Sequence, residues 1–130
     1  MDPEFAVALL DASPIALLVV DEVGTITFAS PSAEAMTGYG VGDVVGTNIF
    51  DYLVEEAIEG IAESVGYVAE NPDVLMGPVW VGFRHADGEL RVLEIMAANR
   101  YADPLLGGLV VSVRDHTTQY RLNEALTKHG

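Results

Sequence analysis

The chain has 130 residues, with 6 Lys+Arg against 20 Asp+Glu, a formal net charge of −14 at pH 7, and an apolar half. That content suits one packed domain and excludes wholesale disorder. The lack of cysteine excludes disulfides, thiolate nucleophiles and thiol-ligated metals, and the shortage of cations argues against nucleic acid or an anionic membrane as partner.

Met1–Phe5 is acidic where a signal peptide needs positive charge. It reads as native chain or as an expression-vector remnant and carries little weight. Phe5, Ala8, Leu9 and Ala12 fall at helical spacing, so residues 1–12 are set apart as an N-terminal helix ended by Ser13-Pro14. Ala16–Val20 and Thr25–Ala29 read as two strands joined by the turn Asp21-Glu-Val-Gly24. Apolar runs such as Ile15–Val20 are far too short to span a bilayer. The expectation is a cytoplasmic protein without membrane insertion.

Ser30 is suited to cap a short helix that opens on Pro31 and stops at Thr37-Gly38, with Glu34 near the position of a capping box. Four glycines between Gly38 and Gly46 then predict turns; Asp43 argues against a phosphate-cradling loop. Glu55–Ala69 is the longest helical pattern, with Ala57, Ile58, Ile61, Val65 and Val68 along one side. The acids Glu55, Glu56, Glu59 and Glu63 read as its solvated face. Pro78–Ala86, Leu90–Arg100 and Gly108–Arg114 are strand-like, and Asp87-Gly88 marks a hairpin turn. His85 and Asp87 supply at most two metal ligands, so no metal site is expected. Thr117–Leu126 is helical, with Leu122 and Leu126 spaced like the start of a coiled coil. Helices in the middle with antiparallel hairpins at both ends mean an α+β fold.

The strand phases carry a further reading. Leu93, Ile95, Ala97 and Asn99 share one face of their strand, and Glu94 makes it the core face. Yet the opposite side still carries Trp80, Val92, Met96 and Val110, so it needs a cover. The N-terminal helix and a second subunit are the natural ones, which gives Phe5, Leu9, Trp80, Val92, Met96 and Val110 as dimer-interface candidates.

Several stretches, in order and spacing, resemble the PAS domain family. They are SPSAEAMTGYG at 30–40, VVG at 44–46, FRHADGELRVLEIMA at 83–97 and GGLVVSVRDHT at 107–117. The resemblance implies a five-stranded antiparallel sheet with short helices on one face, spanning 13–116, and an output helix or linker starting in 117–130. It implies a sensory and dimerisation module without enzymatic activity. Such a module belongs to a larger prokaryotic regulator: a histidine kinase of a two-component system, a cyclase, a phosphatase or a transcription regulator. Asp115 and Thr117 resemble the family's signature between last strand and output helix, Thr117 capping that helix and Asp115 holding the loop.

The ligand is left unknown. Covalent flavin lacks its cysteine, and haem lacks a histidine on the helix before the third strand, since His85, His116 and His129 lie elsewhere. Non-covalent FAD, with Trp80 and Asn99 as residues of suitable type, and a small apolar ligand both stay open. The pocket candidates are Ile58, Ile61, Val65, Val81, Phe83, Leu93, Ile95 and Val111, with Tyr67 and Asn99 as polar anchors. A freestanding small-molecule binding protein is the alternative, and an enzyme with paired carboxylates in a cavity is a third reading.

Overall fold

The computed structural model describes residues 2–129; Met1 and Gly130, the outer limits of the segments set apart above, lie outside them. Its helices are α1 (Pro3–Ala12), α2 (Ser32–Thr37), α3 (Val41–Val44), α4 (Glu55–Glu70) and α5 (Thr117–His129), and a 3₁₀ turn occupies Ile49–Tyr52. The strands are β1 (Ala16–Val20), β2 (Ile26–Ala29), β3 (Leu75–Arg84), β4 (Leu90–Arg100) and β5 (Gly108–Asp115). They form one antiparallel sheet in the order β2-β1-β5-β4-β3. The fold is α+β, as the sequence predicts.

The strands are rich in Val, Ile and Leu, whose branched side chains pack well on a pleated surface. Alternation then divides them between faces: Val81, Phe83, Leu93, Ile95, Ala97, Val111 and Val113 are buried on the inner side. Each of the larger side chains, Ala97 aside, stabilises the fold by roughly 1.5–3 kcal/mol on leaving water. β3 begins three residues earlier than expected. Pro78 reads as a strand boundary because it donates no ladder bond, but a register irregularity between Met76 and Val79 carries the strand past it.

Two local expectations are corrected. Pro31, not Ser30, is the cap residue of α2, and no side chain caps that helix. Ser30 is fully buried instead, and its hydroxyl accepts the Leu17 N–H at 2.9 Å, fastening β1 to the segment after β2. A buried hydroxyl needs a partner, and the strand amide is the nearer one. Second, α1 does not hide the outer face of the sheet. It is tied to α2 through Ser32 Oγ, which lies 3.1 Å from Leu10 O and 2.8 Å from Ser13 O. Trp80, Met96 and Phe28 remain 56%, 37% and 43% exposed.

Gly38 ends α2 with φ of 78°, a conformation that L side chains rarely adopt. A Cβ there would sit 2.5 Å from His85 Cε1, so glycine also lets the loop close on the β3–β4 hairpin. That close approach positions Tyr39 over the inner face, with its hydroxyl donating to Arg84 O at 3.2 Å.

Candidate functional site

Between the inner face of the sheet and α2, the 3₁₀ turn and α4 lies a cavity of about 300 Å³. Its floor is made by Val81 and Phe83 of β3, Leu93, Ile95 and Ala97 of β4, and Leu109, Val111 and Val113 of β5. Ala33 and Met36 of α2, with Val44 and Ile49, form one wall. The roof is α4, through Ile61, Ala62, Val65, Gly66 and Ala69.

The roof is held at its two ends. Val54, before the first turn, donates its N–H to Gly82 O at 3.1 Å. At the other end Asn99 Nδ2 donates to Val68 O at 3.0 Å and Ala69 O at 3.1 Å. Within α4 only Val68 is buried, while Ile61 and Val65 are half-buried above the cavity and Ile58 is half-buried one turn before it.

The hydroxyl groups at the cavity are already engaged. Thr37 Oγ1 bonds Ala33 O at 2.7 Å, and Tyr52 Oη and Thr47 Oγ1 are 2.7 Å apart. Tyr39 Oη donates to Arg84 O as described, and Tyr101 Oη reaches Asp21 O at 3.4 Å. Burial pushes the Tyr101 phenol above its ordinary range, and the nearby Glu22 and Asp21 charges add to that. What faces the void is aliphatic and aromatic carbon, with Glu22 the charged residue at the lining.

Seven of the pocket candidates line this cavity: Ile61, Val65, Val81, Phe83, Leu93, Ile95 and Val111. Three do not. Ile58 lies one turn too early on α4, and Tyr67 points outward, 57% exposed. Asn99 spends its amide on the end of α4 and on the Tyr101 N–H, which its Oδ1 accepts at 3.1 Å. The tyrosines Tyr39, Tyr52 and Tyr101 do line it and escape sequence reasoning, because loop residues carry no periodicity to assign them a face. The turn Thr37-Gly38-Tyr39 is the one signal that points to any of them.

The residues named for FAD do not suit it. Trp80 stands on the outer face, Asn99 is occupied, and the hydroxyls at the void are already bonded to the protein. His85 and His116 lie away from the cavity lining, and the side chain of His129 lies outside the described residues. Among the described residues no three His, Asp or Glu side chains gather as a metal site.

The junction between β5 and α5 has its own geometry. Asp115 Oδ1 accepts the Thr117 N–H at 2.8 Å, so the aspartate performs the local capping. Thr117 is 8% exposed, and its hydroxyl turns to β4, accepting Val92 N–H at 3.0 Å and meeting Val92 O at 3.3 Å. The two roles expected from sequence are exchanged: the threonine is a tether to the sheet, not a helix cap. His116 N–H donates to the same Val92 O at 2.8 Å.

Of the dimer candidates, Phe5, Leu9, Trp80 and Met96 are exposed, and Val92 and Val110 are half-buried. Among the described residues no helix is long and apolar enough to cross a membrane.

A family model described as the PAS fold matches residues 4–115. Solved structures agree. A PAS domain from Colwellia psychrerythraea is 22% identical with a TM-score of 0.76, the match covering 88% of this chain and 97% of that one. The PAS domain, in complex with ethanol, of a LuxR-family transcriptional regulator from Burkholderia thailandensis is 16% identical with a TM-score of 0.66, covering 88% and 97%. A PAS domain from a two-component sensor histidine kinase is 17% identical with a TM-score of 0.66, covering 86% and 94%. No curated protein matches significantly.

Proposed function

Since the chain belongs to the PAS fold family, a sensory signalling module of histidine kinases and regulators, we propose that it senses a small apolar molecule for a larger prokaryotic regulator. The single observation that carries this reading is the cavity. At about 300 Å³ it is at the lower end of ligand-pocket sizes. It is also roughly twice a dry protein cavity that takes up benzene. Its hydroxyls are bonded to the protein, so a ligand that carries hydrogen-bonding groups would leave them unpaired. An aliphatic or aromatic guest meets no such cost.

The signal leaves through Asp115 and Thr117 into α5, which carries it to a covalently linked effector. Trp80, Val92, Met96 and Val110 serve a homodimer on the outer face, with Phe5 and Leu9 extending the contact from α1. Burying such a patch is favourable at roughly 25 cal/mol per Å² of apolar surface before the costs of association.

The test is a titration with n-butylbenzene followed by methyl NMR and native mass spectrometry. The wild-type chain shifts the methyl signals of Leu93 and Ile95 and carries one added mass. Val65→Phe, which fills the void from the roof, abolishes both. A wild-type chain indifferent to butylbenzene would overturn the apolar-ligand reading. Asp115→Ala in the full-length protein silences the output response while the domain stays folded; an unchanged response sinks the output role of the junction.

A further inference from the structure

The outer face carries a side-chain cluster at the edge of the proposed dimer patch, built around Trp80 with two polar side chains that neither ligand binding nor dimerisation accounts for. His116, the residue between Asp115 and Thr117, stacks on Trp80 with ring centroids 4.5 Å apart and planes 14° apart. Glu94 of β4 joins them: its Oε2 accepts the indole N–H at 3.1 Å and lies 4.0 Å from His116 Nδ1. That last separation is too long for a hydrogen bond. The imidazole is only 16% exposed, and its Nε2 is buried without a hydrogen-bond partner.

The charges around the ring come from three directions. From β4 the Glu94 carboxylate faces it, and from β5 Arg114 holds the other Glu94 oxygen at 3.9 Å. Asp115 is turned away, engaged with the Thr117 N–H and 3.9 Å from Arg91. β3 presents the uncharged indole, and α5 presents the Tyr120 N–H, which donates to His116 O at 2.9 Å. An imidazolium here gains attraction to the indole face and to the carboxylate together. Histidine is the side chain whose ordinary titration falls in the physiological range.

We propose that Trp80, Glu94 and His116 form a proton-responsive clamp at the root of α5. A proton on His116 draws the ring from 4.0 Å into a direct hydrogen bond with Glu94 and holds the junction against β3 and β4. Loss of the proton removes the charge that binds the ring to the carboxylate and to the indole face. The backbone of His116 is bonded at both its N–H and its carbonyl, so movement of the ring acts on the residues that seat the helix. The inference rests on reading Asp115–Thr117 as the output root, and adds the quantity to which that root responds.

The experiment uses the 130-residue chain, whose single tryptophan reports the stack and whose lack of cysteine gives a unique label site at Asn123→Cys on α5. Between pH 8 and 5 Trp80 emission falls through one midpoint, and a nitroxide on residue 123 becomes less mobile over the same interval. His116→Asn abolishes both changes. Glu94→Gln, which still accepts the indole N–H but gives up the carboxylate charge, keeps the emission change and loses the change in label mobility. An emission change that survives His116→Asn, a label that still stiffens in Glu94→Gln, or a label indifferent to pH in the wild-type chain each overturns the clamp. The label reads the chain alone, so its failure is distinct from an unaltered effector response in full-length Asp115→Ala.

Discussion

The floor and the roof of the cavity use similar aliphatic residues and are held very differently. On the floor, Val81, Phe83, Leu93, Ile95, Ala97, Val111 and Val113 are all buried, and each strand is hydrogen-bonded to its neighbours. On the roof, α4 buries only Val68, contains Gly60 and Gly66, and is fastened at its ends by Val54 and Asn99. Interior glycines each weaken a helix by about 1 kcal/mol relative to alanine. Local opening is expected where buried contacts are few. The floor therefore carries the stability and the roof carries the freedom to respond.

The sharpest way to break this contrast is on the floor. Phe83→Ala, removing a side chain 1% exposed, lowers the free energy of unfolding by about 3–5 kcal/mol in denaturant melts. A loss below about 1 kcal/mol would mean that the floor is not where the stability resides. On the roof, Asn99→Ala removes both bonds to the end of α4 at a cost of about 1–2 kcal/mol. Hydrogen exchange then rises in α4 more than in β4 or β5. Gly60→Ala works the other way. An added Cβ there meets nothing within 4 Å, so the variant gains roughly 0.5–1 kcal/mol and exchanges more slowly in α4.

Two pH effects refine the edges. The neutral form of Tyr101 is favoured in the folded chain, so its contribution is full below pH 10.0 and is lost as pH rises through the raised value. Tyr101→Phe flattens that alkaline loss in thermal melts. Asp87, in the hairpin turn away from both surfaces, is held below its usual range first by the Glu89 N–H and then by the His85 and Arg91 charges. Its effect is present above pH 3.8 and disappears as pH falls through the lowered value. Asp87→Asn removes this acid dependence and leaves the exchange of α4 unaltered. It is the smallest effect of the series.

Most of the fold was legible because burial imposes a period. The alternation of Leu93, Ile95 and Ala97 against Glu94 and Met96 assigns the faces of β4, and the Asp87-Gly88 turn sets its pairing with β3. The site was legible in its floor and only partly in its roof. The α4 period named Ile61 and Val65 but also Ile58, because a helical stripe is wider than the void beneath it. Asn99 sits in the right phase for the core yet binds backbone carbonyls of α4. Phase gives a direction, whereas a hydrogen-bond partner far along the chain leaves no local trace. The exchange of roles between Asp115 and Thr117 has the same origin, since the Thr117 hydroxyl meets a strand 25 residues earlier. His116 and Trp80 are separated by 36 positions, and nothing in either neighbourhood announces their stack.

One strand touches every working part of the molecule. β4 gives Leu93, Ile95 and Ala97 to the floor, Asn99 to the roof, Glu94 to the outer cluster and Val92 to the tether of α5. Communication across this domain thus requires no chain of intermediaries. On the proposed reading, a displacement of this single ribbon would reach floor, roof, outer cluster and tether together, as one scale of a slide rule is read at four marks.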